Sequence, residues 1–135
     1  MIRSLAIAAG LSAFALSAAP ALAHHSGAMF DRSKEVTIAG TVKDFQWTNP
    51  HSSFQVLVPQ TDGSQQEWSV EMNGPNNLIR QGWKRSTIKP GDKVSVTINP
   101  LRDGKPGGWY VGISLPNGQK LRTDEPPTGG TPASS

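Results

Sequence analysis

The chain has 135 residues, with 13 Lys and Arg against 10 Asp and Glu, a formal net charge of +3 and no cysteine. Its length favours a single domain. The missing cysteine excludes disulfides, thiolate zinc sites, iron–sulfur clusters and cysteine nucleophiles.

Residues 1–23 have the pattern of a secretory signal peptide. A positive start ending at Arg3 precedes a charge-free run over residues 5–19, and Ala21-Leu22-Ala23 forms a small-residue cleavage site. The run is shorter than the roughly 20 residues of a membrane span. Removing 23 of 135 residues leaves 112, and losing Arg3 lowers the net charge from +3 to +2. We therefore expect a soluble periplasmic protein with no membrane span and no nucleic acid partner.

The first predicted elements are an N-terminal arm over residues 24–35 and a bent strand. Val36, Ile38 and Val42 share one side of an alternating run, whereas Phe45 and Trp47 take the opposite parity. A parity switch beside a glycine indicates a bulge or strong bend.

Four further strands and one short helix follow in the predicted order. The alternating apolar residues 54–58, 68–72, 94–98 and 109–115 predict strands, with a hairpin turn at Asn117-Gly118 and a last strand near residues 120–121. Residues 73–77 can cap a helix of about two turns that buries Leu78, Ile79 and Trp83. The tail over residues 123–135 lacks large apolar residues and is predicted to be disordered.

This order predicts an all-β fold, a small five-stranded OB-like barrel with one short helix between strands 3 and 4. The domain covers residues 36–122, and barrel closure hides the sheet edges. A small β-sandwich with an incidental helix is the alternative.

The three histidines indicate metal chemistry. If cleavage follows Ala23, His24 begins the mature chain, and its α-amine and imidazole form a bidentate arm beside His25. If cleavage follows Ala21, a histidine occupies the third position, which also chelates Cu(II). Nitrogen-rich tetragonal sites suit Cu(II). His51 lies in the loop between strands 1 and 2, which borders the usual OB-fold ligand face.

Other side chains can complete or replace such a site. Met29 and Met72 are soft donors for Cu(I), and Asp31 and Glu71 are hard ones. The bland interpretation is also open, since histidines can follow a cleavage site by chance and His51 can simply cap its loop.

The tryptophans and charges allow other readings. Trp68 and Trp109 are in phase with their strands and predict core positions, Trp83 covers a barrel end, and Trp47 with Asn49 is the candidate ligand face. A basic stretch suits an anionic partner or a plain solvated surface; it comprises Arg80, Lys84, Arg85, Lys89 and Lys93. No sequence supports a catalytic nucleophile, so we expect no enzyme.

Several segments together resemble a family of small exported proteobacterial proteins grouped as a domain of unknown function. They are His24-His25-Ser26, Met29-Phe30-Asp31, residues 36–42, Phe45-Gln46-Trp47-Thr48-Asn49-Pro50-His51, residues 68–71, residues 78–83, residues 89–94 and Arg102-Asp103-Gly104. The resemblance covers residues 24–121 and implies a periplasmic, single-domain β-barrel, without an activity. At fold level the chain also resembles periplasmic OB-fold copper and silver carriers, whose motif spacing it does not reproduce.

The leading hypothesis is a periplasmic copper-binding carrier, buffer or sensor that uses His24, His25 and His51, with Cu(II) or Cu(I) as the metal and a periplasmic protein as a further partner. The alternative is a metal-free binding module that uses Trp47 for an envelope sugar, peptide or partner protein. A histidine-brace copper oxidase is the third possibility.

Overall fold

The computed structural model describes residues 27–124. The predicted signal peptide, His24, His25 and the tail beyond Asp124 lie outside the described residues. The elements are a 3₁₀ turn η1 (Gly27–Met29), a helix α1 (Pro75–Arg80) and six strands: β1 (Val36–Gln46), β2 (Ser53–Pro59), β3 (Gln65–Glu71), β4 (Lys93–Pro100), β5 (Gly107–Ser114) and β6 (Lys120–Arg122). None of the helices within these residues is long and apolar enough to cross a membrane.

The strands close into the predicted barrel. They hydrogen-bond in the order β3-β2-β1-β4-β5-β6, and an additional pairing joins β3 to β5. That pairing is parallel and brings Ser69, Val70 and Glu71 beside Gly107, Gly108 and Trp109. A five-stranded barrel with a helix between its third and fourth strands is an OB-fold. The predicted fold class is therefore confirmed, and the predicted last strand is β6, a short strand beside β5.

The predicted bend in β1 is also present. The register with β2 shifts between Val42 and Asp44, so Val42 and Phe45 both pack on the core although their parities differ. At Gly40, a Cβ atom would stand 2.1 Å from the backbone oxygen of Leu57. Glycine is required there because a side chain would collide with the backbone of β2 at Leu57.

Apolar side chains fill the core of the barrel, together with two hydrogen bonds that link Trp83, Tyr110 and Leu121. Trp83 and Tyr110 are both almost fully buried, at 1% and 2% exposure. The indole Nε1 of Trp83 donates to the Tyr110 hydroxyl at 3.2 Å, and that hydroxyl donates to the backbone oxygen of Leu121 at 3.1 Å. Burying these polar atoms is tolerated because each has a partner.

The prediction that Trp109 is a core residue is wrong. The register between β4 and β5 shifts between Thr97 and Ile98, which pair with Gly112 and Tyr110 and leave Val111 as an extra residue. This bulge reverses the parity of the strand. Tyr110 and Ile113 consequently point into the core, and Trp109 points to the outer face.

The helix differs from its prediction at one position. Its first turn follows Gly74, and Leu78 is fully buried, but Ile79 is 57% exposed. A helix of six residues has room for one buried stripe, which Leu78 and the following Trp83 supply. Trp68 is half-buried and packs against the core, in agreement with its predicted phase.

Candidate metal-binding face

A row of side chains crosses the outer face of the barrel at its closing seam. Glu71 pairs with Ser53 of β2 on one side and with Trp109 of β5 on the other. Register partners on adjacent strands point to the same face of a sheet. The side chains that therefore lie next to one another on the outer face are those of Ser53, Glu71 and Trp109. The strand neighbours Val70 and Met72 are buried in the core.

His51 enters this face from the loop between β1 and β2. The Thr48 hydroxyl donates to the backbone oxygen of His51 at 3.0 Å. The next residue, Ser52, is fully buried, and its hydroxyl donates to the backbone oxygen of Thr48 at 3.3 Å. With Ser52 fixed inward, the exposed His51 ring meets the Trp109 indole edge to face, with centroids 5.4 Å apart at 82°.

The N-terminal arm packs against the same indole. Phe30 forms an isolated antiparallel bridge with Leu101, just after β4. The Asp31 amide donates to the Pro100 oxygen at 2.8 Å. The Phe30 ring is only 3% exposed and lies 5.7 Å from Trp109. The arm is thus an ordered part of the barrel surface from Gly27 onward.

A cation from the arm covers Trp109 as well. The guanidinium carbon of Arg32 stands 5.6 Å from the centroid of the indole, a cation–π distance. A Cβ atom on Gly27 would lie 3.5 Å from a terminal nitrogen of Arg32. Gly27, Arg32, Trp109 and His51 therefore form a continuous chain of neighbours. Arm and loop share one aromatic residue.

Glu71 brings a negative charge to this face. Its Oε2 atom is buried and has no hydrogen-bond partner among the described residues. A buried carboxylate oxygen without a partner costs free energy unless a cation or donor meets it. Among the described residues, Glu71 therefore has a carboxylate oxygen whose hydrogen-bonding capacity is unmet.

Asp31 is engaged elsewhere. Its carboxylate accepts hydrogen bonds from the Ser33 hydroxyl at 2.6 Å and from the Ser33 amide at 3.1 Å. These bonds, with smaller contributions from the charges of Arg102 and Lys34, hold the pKa of Asp31 below its usual range. These hydrogen bonds hold the Asp31 carboxylate against Ser33.

The remaining predicted site residues have separate positions. Met72 is fully buried in the core, so the prediction of Met72 as a soft ligand is wrong. Met29 is 37% exposed on the arm. Trp47 is half-buried, packs against the core and meets Phe45 at 5.9 Å, and Asn49 is exposed, with its Oδ1 against Gly74.

Sequence reasoning missed the residues that join the arm to the loop. No periodic signal marks Phe30, Arg32 or Arg102. The alternating pattern places Trp109 in the core, because such a pattern does not reveal the bulge in β5. The Arg102-Asp103-Gly104 segment predicts a turn. That this turn lies beside the arm is visible only in the folded barrel.

Within residues 27–124, no three His, Asp or Glu side chains lie close enough together to hold one metal ion. His51 and Glu71 are the candidate donors on the described face. A nitrogen-rich site there depends on ligands from residues before Gly27, where the sequence places His24 and His25.

Comparison with known proteins adds a family and a similar fold. The sequence model described as a family of unknown function (DUF6152) matches residues 13–110. No curated protein matches the sequence. A solved structure, the dimeric N-terminal domain of the PriB protein from Thermoanaerobacter tencongensis, is similar at 15% identity and a TM-score of 0.45, covering 62% of this chain and 96% of that chain.

Proposed function

Because the chain belongs to the family of unknown function DUF6152, its activity has to be inferred from its own residues, and we propose that it is a periplasmic copper-binding protein. It acts as a carrier, buffer or sensor. His24 supplies the α-amine and imidazole, and His25 and His51 supply further nitrogen ligands.

One observation carries the proposal: the arm that follows His24 and His25 docks on the residue that touches His51. Phe30 and His51 both pack against the same indole, that of Trp109. Extended chain spans at most about 3.6 Å per residue, so His24 can reach roughly 11 Å from Gly27. A shared site for the amino terminus and His51 therefore requires His51 to lie within that reach of Gly27.

The donor set suits copper. An α-amine with a pKa of about 7.7–8.0 loses its proton readily to a metal. Two or three imidazoles with an amine give the nitrogen-rich, tetragonal environment that Cu(II) prefers, and Cu(II) heads the affinity order for such ligands. The unpartnered Glu71 oxygen offers a negative charge on the same face.

The metal-free alternative has weaker support. It needs Trp47 as an open stacking platform, but Trp47 packs on the core beside Phe45. Trp109 is a half-buried aromatic on the outer face, and its neighbours include a histidine, a carboxylate and the arm.

The test is copper titration of the 112-residue form with its native start at His24, followed by electron paramagnetic resonance. We expect one tightly bound Cu(II) with nitrogen hyperfine structure. The same protein with one extra residue before His24 blocks the chelate formed by the amine and the first imidazole, and His51→Ala removes the loop ligand. Each change should weaken binding and alter the spectrum. A spectrum without nitrogen coordination, or an affinity indifferent to the added residue, contradicts the proposal.

A further inference from the structure

The segment that leads from α1 to β4 is anchored in the core at every fifth residue. Its three buried anchors, at 0%, 1% and 2% exposure, are Leu78, Trp83 and Ile88. Exposed side chains come directly after each anchor, and they are Ile79, Arg80, Lys84, Arg85 and Lys89. Because the anchors fix the segment against the barrel, these side chains are held on its outer surface. Four of the five are cations.

The segment concentrates positive charge. Residues 72–91 contain four Lys or Arg and no Asp or Glu. Residues 27–71, by contrast, contain three Lys or Arg and six Asp or Glu. Of the four cations, only Lys89 has an ion pair within the described part of the chain, with Asp92 at 3.0 Å. The other three therefore present uncompensated charge to an anionic partner.

Two tight turns hold these three cations close to an exposed apolar side chain. The Gly82 amide donates to the Ile79 oxygen at 3.1 Å, and the Thr87 amide donates to the Lys84 oxygen at 3.0 Å. The Lys84 amide in turn donates to the Thr87 hydroxyl at 2.7 Å. Each turn contains one exposed arginine. Together they form a surface, here called the α1 patch, whose members are Ile79, Arg80, Lys84 and Arg85.

We propose that the α1 patch binds the surface of a bilayer that contains anionic phospholipid. Each Lys or Arg near such a surface strengthens binding, and an exposed aliphatic side chain gains by entering the boundary between headgroups and acyl chains. Ile79 is suited to that role, since it is 57% exposed, against 37% for Met29 and Val36. The combination of cations with Ile79 favours a lipid over a soluble acidic polymer, which offers nothing apolar for Ile79 to contact.

The test measures binding of the mature chain to lipid vesicles by sedimentation. Vesicles of phosphatidylglycerol and phosphatidylcholine in equal parts should bind the protein, and vesicles of phosphatidylcholine alone should not. Added salt should weaken binding, because it screens exposed charges. The α1 patch shares no residue with the proposed copper site, so this result does not depend on copper.

Two triple variants separate position from net charge. The first combines Arg80→Gln, Lys84→Gln and Arg85→Gln, and it should weaken vesicle binding about 100-fold, at about fivefold for each charge. The matched control removes the same number of charges from exposed lysines outside the patch, by combining Lys34→Gln, Lys43→Gln and Lys105→Gln. Its effect should be much smaller. Thermal unfolding of both variants shows that the barrel remains folded.

A dye at the patch distinguishes lipid from other anionic partners. Because the chain has no cysteine, Ile79→Cys provides a single position for an environment-sensitive dye. Its emission should rise and shift to the blue on anionic vesicles and stay unchanged with dextran sulfate, a soluble polyanion. The same dye at Thr61→Cys, in the exposed turn between β2 and β3, should not respond.

Three results would overturn the proposal. The wild-type protein does not bind anionic vesicles, the patch variant binds them as well as the lysine control does, or the dye at position 79 responds to them no more than the dye at position 61. Binding to dextran sulfate as tight as to vesicles, without a dye response on the vesicles, would assign the patch to an acidic polymer instead.

Discussion

The imidazole of His51 and the indole of Trp109 meet edge to face, 5.4 Å apart, although 58 residues separate them in the sequence. Their contact joins the loop between β1 and β2 to strand β5. Phe30, on the arm that follows His24 and His25, packs against the same indole. The contact therefore connects the two parts of the proposed site.

Trp109 should report copper binding by fluorescence. Cu(II) held by His51 lies close to this indole and quenches its emission, whereas Trp83 and Trp68 pack on the barrel core. We expect Trp109→Phe to remove most of the copper-dependent quenching and Trp68→Phe to remove little of it. Equal quenching in the two variants would place the bound ion away from His51.

Glu71→Gln should lower the copper affinity without lowering the stability of the barrel. The substitution removes a charge whose Oε2 is buried without a partner, so the free energy of unfolding should stay the same or rise. Copper affinity should fall about 10-fold, the usual effect of losing a supporting carboxylate. Glu67→Gln is the matched control on the same face of β3, since Glu67 is exposed and paired with Lys43. Calorimetric titration and urea unfolding of both variants provide the two readouts.

Tyr110→Phe should destabilise the barrel. The hydroxyl accepts from Trp83 and donates to Leu121 in the core. Its removal leaves the buried N–H of Trp83 without a partner, which costs about 1–3 kcal/mol. Urea unfolding measures the loss. A variant as stable as the wild type would show that this N–H finds another partner.

The same residue predicts a loss of stability in alkali. Burial raises the pKa of the Tyr110 phenol well above its ordinary value, with the Trp83 hydrogen bond opposing the shift. Above about pH 10 the unfolded phenol ionises while the folded one keeps its proton. The unfolded state then binds fewer protons, so the free energy of unfolding falls as pH rises, by up to about 1.4 kcal/mol per pH unit.

Because the sequence contains one tyrosine, tyrosinate absorbance follows this group directly. We expect tyrosinate absorbance to appear only at a pH high enough to unfold the barrel. Tyr110→Phe should remove this contribution to the alkaline slope. Tyrosinate forming near pH 10 in the folded protein would contradict the burial argument.

Gly40→Ala tests the bend of β1. The new Cβ meets the Leu57 oxygen at 2.1 Å, and backbone atoms must move to admit it. We expect a loss of about 3 kcal/mol. Gly104→Ala is the comparison, since its φ of +78° is strained for alanine but its Cβ meets only open space; it should cost about 1 kcal/mol. A smaller loss at Gly40 than at Gly104 would mean that the strands can separate cheaply.

The barrel was predictable because its signals are local. Alternation gives each strand, Gly40 and the parity of Phe45 give the bend in β1, and the turn residues give the connections. Trp109 was not predictable, because one extra residue at Val111 changes its face and leaves no mark in the pattern. The docking of Phe30 and Arg32 depends on contacts between residues about 80 positions apart, which only the closed barrel creates.

Glu71 and Trp109 are also partners in the parallel pairing that closes the barrel, between β3 and β5. The face on which copper is proposed to bind is therefore built on the seam of the fold, and it exists only when the seam is shut. A ligand that binds only the closed form stabilises it by mass action, by about 2.7 kcal/mol at a free concentration one hundred times its dissociation constant. Under the proposed function, metal supply and resistance to unfolding then become linked quantities.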